Sequence, residues 1–219
     1  MKIFIVIPAY REESRIGAVI KDVLKSQYPI IVVDDGSKDD TFKVANKYEI
    51  TALRHKVNLG KGAAMKTGAE AAFKMGADAV VFMDSDGQHK VKDLPNFIDA
   101  LEKDKFDVVF GSRNLSHGVP FVRYIGNKIA SILISILFGI YVSDLLCGYR
   151  GLSKKGYRKT RWESRGYGVE TEMTARTAIY GLKHCEVPVE TVYYDEVKGV
   201  TILDAINILF DVLRWRIRL

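Results

Sequence analysis

The first half of the chain alternates short, unbroken apolar runs with stretches of helical composition, and no other feature restricts the fold as tightly. Residues 3–7, 30–33, 79–83 and 106–110 are almost wholly apolar. Runs of that length suit parallel strands covered on both faces, where no polar side is needed. Between them, residues 15–26, 38–48, 61–75 and 94–103 have helical composition, and residues 51–54 supply a further strand. The repeat predicts an α/β fold, a mostly parallel sheet flanked by helices.

A chain of 219 residues, 47% hydrophobic and 27% charged, has the size and balance of one globular domain and excludes a disordered or fibrous chain. Cys147 and Cys185 form no C-x-x-C pair, which predicts reduced thiols rather than a disulfide framework. The apolar start is too short for a secretory signal, with charge returning at Arg11, and reads as a buried strand.

In open parallel sheets, ligands bind beyond the carboxyl ends of the strands. Here those ends read Pro8-Ala9-Tyr10-Arg11-Glu12, Asp34-Asp35-Gly36-Ser37, Asp84-Ser85-Asp86-Gly87-Gln88-His89 and Gly111-Ser112-Arg113. One Asp-Gly pair is ordinary turn chemistry. Four polar ends on one edge predict a shared site. Asp84 and Asp86, one residue apart just past a buried strand, can turn their oxygens toward one ion, and Gln88 can add a neutral oxygen. Few hard oxygen ligands suit Mg²⁺ or Mn²⁺ when substrate phosphates complete the shell. Such an ion would take up charge on a departing diphosphate. His89 is better suited to steadying a ligand or capping the turn. Tyr10 can lie against a base or ribose, and Glu12 and Asp35 can accept hydrogen bonds from a nucleoside. Lys61, between Gly60 and Gly62 where a helix begins, can meet a phosphate.

The second half differs in character. Residues 125–142 form an apolar-rich stretch with a polar stripe at Asn127, Lys128, Ser131 and Ser135, and residues 201–219 repeat the design. Each reads as an amphipathic rather than a spanning helix, either packed on the core or laid on a membrane surface. The excess charge of +6, from 33 basic and 27 acidic residues, gathers late. Residues 150–165 hold Arg150, Lys154, Lys155, Arg158, Lys159, Arg161 and Arg165 against Glu163, and Arg214, Arg216 and Arg218 follow. Such clusters favour phosphate-bearing partners or an anionic membrane, or are simply solvated. They lack the interleaved aromatics of a nucleic-acid module, so no nucleic acid is expected.

Taken in order, Pro8-Ala9-Tyr10-x-Glu12, Val32-Val33-Asp34-Asp35-Gly36-Ser37-x-Asp39-x-Thr41, Asn58-x-Gly60-Lys61-Gly62, Asp84-Ser85-Asp86-Gly87-Gln88-His89 and Gly111-Ser112-Arg113 resemble the motif series of family 2 inverting glycosyltransferases of the GT-A fold. Within that family the resemblance is to the dolichyl-phosphate mannose and glucose synthases. It continues in Arg123, Asp144-x-x-Cys147-Gly148-Tyr149-Arg150, Gly166-Tyr167-x-x-Glu170-x-Glu172 and Lys198-Gly199-x-Thr201.

The resemblance implies a single GT-A domain over residues 1–219, with residues 1–115 binding the nucleotide sugar and residues 116–219 the acceptor and membrane interface. It implies that Pro8, Tyr10, Glu12 and Asp35 contact the nucleoside, Lys61 the nucleotide pocket, and Asp84, Asp86 and Gln88 a Mg²⁺ or Mn²⁺ diphosphate. Arg113 and Arg123 would hold an acceptor phosphate, helped by Asn127. The implied partners are a GDP- or UDP-linked sugar and a polyprenyl or dolichyl phosphate. The implied location is the cytoplasmic face of a membrane, with the C-terminal amphipathic helices at its interface. A hydroxyl acceptor on a glycan or polyol is the alternative, needing a base such as Glu170 or Glu172 unless these pair with the basic run. A non-catalytic nucleotide-binding scaffold is a further one.

Overall fold

The computed structural model describes residues 1–113, 121–166, 168–190 and 210–216, the side chains of residues 121–123 excepted. Its centre is a seven-stranded sheet. Strands β1 (Ile3–Ala9), β2 (Ile30–Asp34), β3 (Thr51–Arg54) and β4 (Ala79–Phe82) run parallel, with Ile5 opposite Ile30, Ile31 opposite Thr51 and Ile3 opposite Ala79. Beyond β4 lie β5 (Val108–Arg113), β6 (Arg150–Ser153) and β7 (His184–Val189). The spatial order is β3-β2-β1-β4-β6-β5-β7, so β6, antiparallel to both neighbours, separates β4 from β5.

Alternate residues of each strand feed opposite faces. Phe4, Val6, Ile31, Val33, Val80 and Phe82 enter one core cluster, beneath α3 (Lys61–Lys74) and α7 (Val169–Ile179). Ile3, Ile5, Ile7, Val32 and Val81 enter the other, beneath α1 (Ile16–Leu24) and α4 (Leu94–Glu102). Both faces being covered explains why these strands read as continuous apolar runs. Helix α3 approaches closely because its inner face is small: a Cβ on Gly68 would stand 2.3 Å from Cγ1 of Val6. That approach draws the helix N-terminus, and Lys61 with it, onto the strand ends.

The remaining elements are α2 (Thr41–Ala45), α5 (Phe121–Phe138), α6 (Lys154–Thr160) and a helical segment over residues 210–216. Helix α2 is shorter than its composition predicts. Asp39 turns the chain ahead of it, its Oδ1 accepting hydrogen bonds from the backbone N–H and hydroxyl of Thr41. The basic side chains of residues 150–165 are mostly solvated, yet the run is more than a loop. It builds β6 and α6, and Arg150 is fully buried.

Helix α5 packs part of its polar stripe inward, a direction its periodicity left open. Asn127 and Ser131, from the polar stripe, are buried, whereas Ile125, Ile129, Ile132 and Ile136 face outward, Ile129 at 60% and Ile136 at 76% exposure. Their spacing of four, three and four residues places them on one face. In the C-terminal segment Val212 and Trp215 are buried, while Phe210 and Leu213 are exposed beside Arg214 and Arg216. The rest of residues 201–219, including Arg218, lies outside the described residues. Among the described residues no helix is long and apolar enough to cross a membrane.

Candidate active site

The carboxyl ends of β1, β2 and β4 form one polar edge. Asp34 is fully buried, with Oδ1 accepting from the Ser37 N–H and Oδ2 paired 3.0 Å from Nε of Arg54. Asp35 turns toward the loop that leads into α3. Its oxygens accept from the backbone N–H groups of Leu59 (2.9 Å) and Gly60 (2.7 Å), and Oδ1 lies 2.7 Å from Nδ1 of His55. The other ring nitrogen, Nε2, lies 2.9 Å from the Thr67 hydroxyl. Asp35 thus shapes the Lys61 loop. Pro8 is held within the sheet opposite Val33. Tyr10 stays 38% exposed beside the Arg11 guanidinium, which lies 5.1 Å from its ring centre. Glu12 is buried, 3.3 Å from Nη1 of Arg15, and its backbone N–H donates to Thr41.

Lys61 is the charged centre. Gly60, at φ 96°, turns the chain into α3 in a conformation that side chains resist, and Lys61 follows as the first helical residue. Its Nζ lies 2.7 Å from Oδ1 of Asp84 and 2.8 Å from Oε1 of Glu170, joining the end of β4 to the start of α7. Burial works against the charge on Lys61, but the two carboxylates outweigh it and keep the ammonium protonated. Burial also opposes the charge on Asp84, yet Lys61 and the neighbouring His89 and Arg113 draw its pKa down to about 2. His89 fixes the base of this carboxylate, its Nδ1 accepting the Asp84 backbone N–H at 3.2 Å while its ring stacks on Tyr149. Burial holds His89 neutral, with a pKa lowered to about 4.

Asp86 behaves oppositely. Burial, then repulsion from Asp84, pushes its pKa up to about 6, although Oδ1 accepts the Gln88 N–H at 2.9 Å. No lysine or arginine pairs with Asp86 among the described residues. A half-buried acid whose ionisation is opposed by burial and by a second, ionised acid fits a cation. Among the described residues no cluster of three or more acidic, histidine or cysteine ligands could hold a metal unaided. The residues therefore fit a hard ion that draws most of its ligands from substrate oxygens and water.

A second buried centre adjoins the first. Arg113, at the end of β5, donates from Nη2 to Oδ1 of the fully buried Asp144 at 2.9 Å and from Nε to its other oxygen. Asn127 donates to the same Oδ1 at 3.1 Å, so two of the predicted acceptor residues meet on one carboxylate. Arg123 belongs to α5, but its side chain lies outside the described residues. Arg150 donates to the carbonyls of Leu145, Cys147 and Glu170 and rests 5.0 Å from the Phe110 ring centre. It pins residues 145–147 beneath the site. Cys147 and Cys185 are both free thiols.

Sequence reasoning singled out Asp84, Asp86, Lys61 and Arg113 but assigned no task to Asp144, Gly148 or Arg150. The signal was the run Asp144-x-x-Cys147-Gly148-Tyr149-Arg150, whose spacing alone does not show that β6 slots in beside β4. Among the described residues neither Glu170 nor Glu172 forms an ion pair with the basic side chains of residues 158–165. Glu170 meets Lys61, and Glu172 meets Arg176 and two backbone N–H groups.

Comparison with known proteins agrees with this geometry. The chain is 31% identical to the UDP-N-acetylglucosamine–dolichyl-phosphate N-acetylglucosaminyltransferase of Methanococcus voltae, covering 96% of this chain and 94% of that protein. It is 28% identical to the polyprenol monophosphomannose synthase of Mycolicibacterium smegmatis, covering 98% and 86%. In fold it is similar to glucosyl-3-phosphoglycerate synthase from Mycobacterium tuberculosis, crystallised with Mg²⁺ and UDP, at a TM-score of 0.77 and 21% identity over 98% of this chain and 79% of that one. The family profile described as Glycosyl transferase family 2 matches residues 4–166. With a GT-A sheet, a polar edge of strand ends and this match, the chain belongs to glycosyl transferase family 2 and is a glycosyltransferase.

Proposed function

We propose that this glycosyltransferase moves a sugar, with inversion, from a nucleoside diphosphate onto the phosphate of a polyprenyl lipid such as dolichyl phosphate. The observation that carries the lipid acceptor is helix α5. It brings Asn127 to the Arg113–Asp144 pair on its inner side and presents Ile125, Ile129, Ile132 and Ile136 on its outer side. A phosphate-binding group and an apolar face on one helix suit an acceptor whose head is ionic and whose tail stays in a membrane. The relatives in Methanococcus voltae and Mycolicibacterium smegmatis carry names of that kind. On this reading the protein sits peripherally on the cytoplasmic face of a membrane.

In the mechanism that follows, Tyr10 and Glu12 contact the nucleoside with Pro8, and Asp35 acts by shaping the neighbouring loop. Two of the three Lys61 N–H donors point to Asp84 and Glu170, leaving one for a diphosphate oxygen. Asp84 and Asp86, with Gln88, would hold Mg²⁺ or Mn²⁺, which would supply charge neutralisation to the leaving diphosphate. Arg113 and Arg123 hold the acceptor phosphate in line with the anomeric carbon. A phosphate monoester has a second pKa near 6, so at neutral pH it attacks as an anion. A dedicated base is then unnecessary, in keeping with Glu170 and Glu172 both being engaged. Attack from the face opposite the diphosphate inverts the anomeric centre.

Purified protein incubated with UDP- and GDP-linked sugars, Mn²⁺ and a short-chain polyprenyl phosphate tests this directly. The expected product is a polyprenyl-phosphate-linked sugar with release of nucleoside diphosphate. Transfer only to free sugars or polyols would replace the lipid acceptor by a hydroxyl one, and no transfer to any acceptor would remove the reading altogether.

A further inference from the structure

We propose that Glu170 and Glu172, two buried carboxylates in the first turn of α7, are positioning residues for Lys61, the first by a direct ion pair and the second through the segment that seats the turn at residues 60–62. The inference rests on the reading that Lys61 meets the donor diphosphate.

A lysine side chain is long and flexible, so its place is set by what grips its head and what fixes its backbone. Glu170 grips the head at 2.8 Å. The backbone is fixed by residues 162–165, which lie directly on the turn. Nε1 of Trp162 donates to the Gly62 carbonyl at 2.8 Å, and the Ala63 N–H donates to the Arg165 carbonyl at 3.2 Å. A Cβ on Gly60 would come within 2.4 Å of the Arg165 oxygen, and one on Gly62 within 2.2 Å of the Ser164 oxygen. The two glycines are thus what lets this segment close over the turn.

Residues 162–165 belong to no helix or strand, and Glu172 holds them. Its carboxylate accepts the backbone N–H groups of Glu163 at 2.9 Å and Ser164 at 2.7 Å, and is itself held by Nε of Arg176 at 2.7 Å. Residues two apart on a helix do not share a face. The two acids therefore reach Lys61 by separate routes. Acidic residues in a first turn ordinarily serve the helix dipole, but both of these carboxylates bind groups in other parts of the chain.

The test is a double-mutant cycle on the full chain, measured by calorimetric binding of UDP and of GDP with Mn²⁺ present. Lys61→Met weakens whichever nucleotide binds by about 10- to 100-fold, and Glu172→Gln by about tenfold alone but less than about twofold in the Lys61→Met background. Glu170→Gln follows the same pattern. In turnover, Glu172→Gln raises donor KM and leaves acceptor KM within about twofold, whereas a merely structural lesion lowers kcat through the active fraction. Should Glu172→Gln fail to fold, Gly62→Ala, which lifts the same segment from the other side, carries the cycle. Additive losses overturn the positioning role while leaving Lys61 in its place. No loss in Lys61→Met overturns both.

Discussion

A methyl group on Gly148 would stand 2.4 Å from Oδ2 and 2.7 Å from Oδ1 of Asp84, so the backbone ahead of β6 is in effect the wall behind that carboxylate. No side chain fits there while Asp84 keeps its pair with Lys61. Gly148→Ala is expected to push the carboxylate aside and lower kcat by about 10- to 100-fold, since misplacement by about 1 Å is costly at a reacting centre. Circular dichroism should stay near that of the parent, because the displaced group is a side chain rather than a strand. Unchanged turnover would mean that Asp84 need not stand where it does.

On the proposed reading, Asp86 links metal binding to pH. Its pKa is raised to about 6 in the metal-free fold, so below that pH a cation must displace a proton. Mn²⁺ affinity, titrated with nucleoside diphosphate present, is expected to fall by up to about tenfold per unit as pH drops below 6 and to level off above it. Stability runs the opposite way. The folded state holds this proton more tightly than the unfolded chain, so ionisation above pH 6 costs stability, a cost absent below the ordinary carboxylate pKa. Asp86→Asn should therefore stabilise the metal-free protein at pH 8 by roughly 1 kcal/mol, lose that advantage near pH 3.5, and abolish transfer.

Asp144 gathers Arg113 and Asn127. Asp144→Ala removes the buried carboxylate that binds both the Arg113 guanidinium and the Asn127 amide, and denaturant unfolding should register a loss of about 2–4 kcal/mol. If Arg113 holds the acceptor phosphate, acceptor KM rises more than donor KM. Equal rises in the two would detach Arg113 from the acceptor.

The outward isoleucines of α5 can be replaced without touching the core. Ile129→Glu with Ile136→Glu should leave the melting temperature within a few degrees, yet reduce sedimentation with anionic vesicles at least tenfold, given about 1.5–3 kcal/mol per buried side chain. Activity toward a short, water-soluble polyprenyl phosphate should persist. Undiminished vesicle binding would assign membrane contact to another surface.

Much of the sheet was legible because parallel strands buried on both faces leave an unmistakable pattern: residues 30–33 differ from β2 by one residue, and residues 79–83 from β4 by one. Strand β6 was not legible. Its first residue is an arginine in a basic run, and nothing local shows that Arg150 is buried against Phe110 and three carbonyl oxygens. Asp84 and Asp86 could be read as a pair, but their opposed pKa shifts depend on burial and on Lys61 and Arg113, which approach from 23 and 29 positions away in the sequence. The inner polar side of α5 was visible as periodicity. Periodicity gives an angle and no direction, and only packing shows which side meets protein.

The insertion of β6 between β4 and β5 also bears on synthesis. A ribosome releasing the first 113 residues has delivered β1 to β5, yet β5 has no hydrogen-bonded neighbour, because both of its partners, β6 and β7, are still to be made. β4 meanwhile presents a bare edge of the kind that recruits other chains. Completion of this rim thus waits for residues 150–189, and truncations near residue 115 should yield insoluble material rather than a nucleotide-binding fragment.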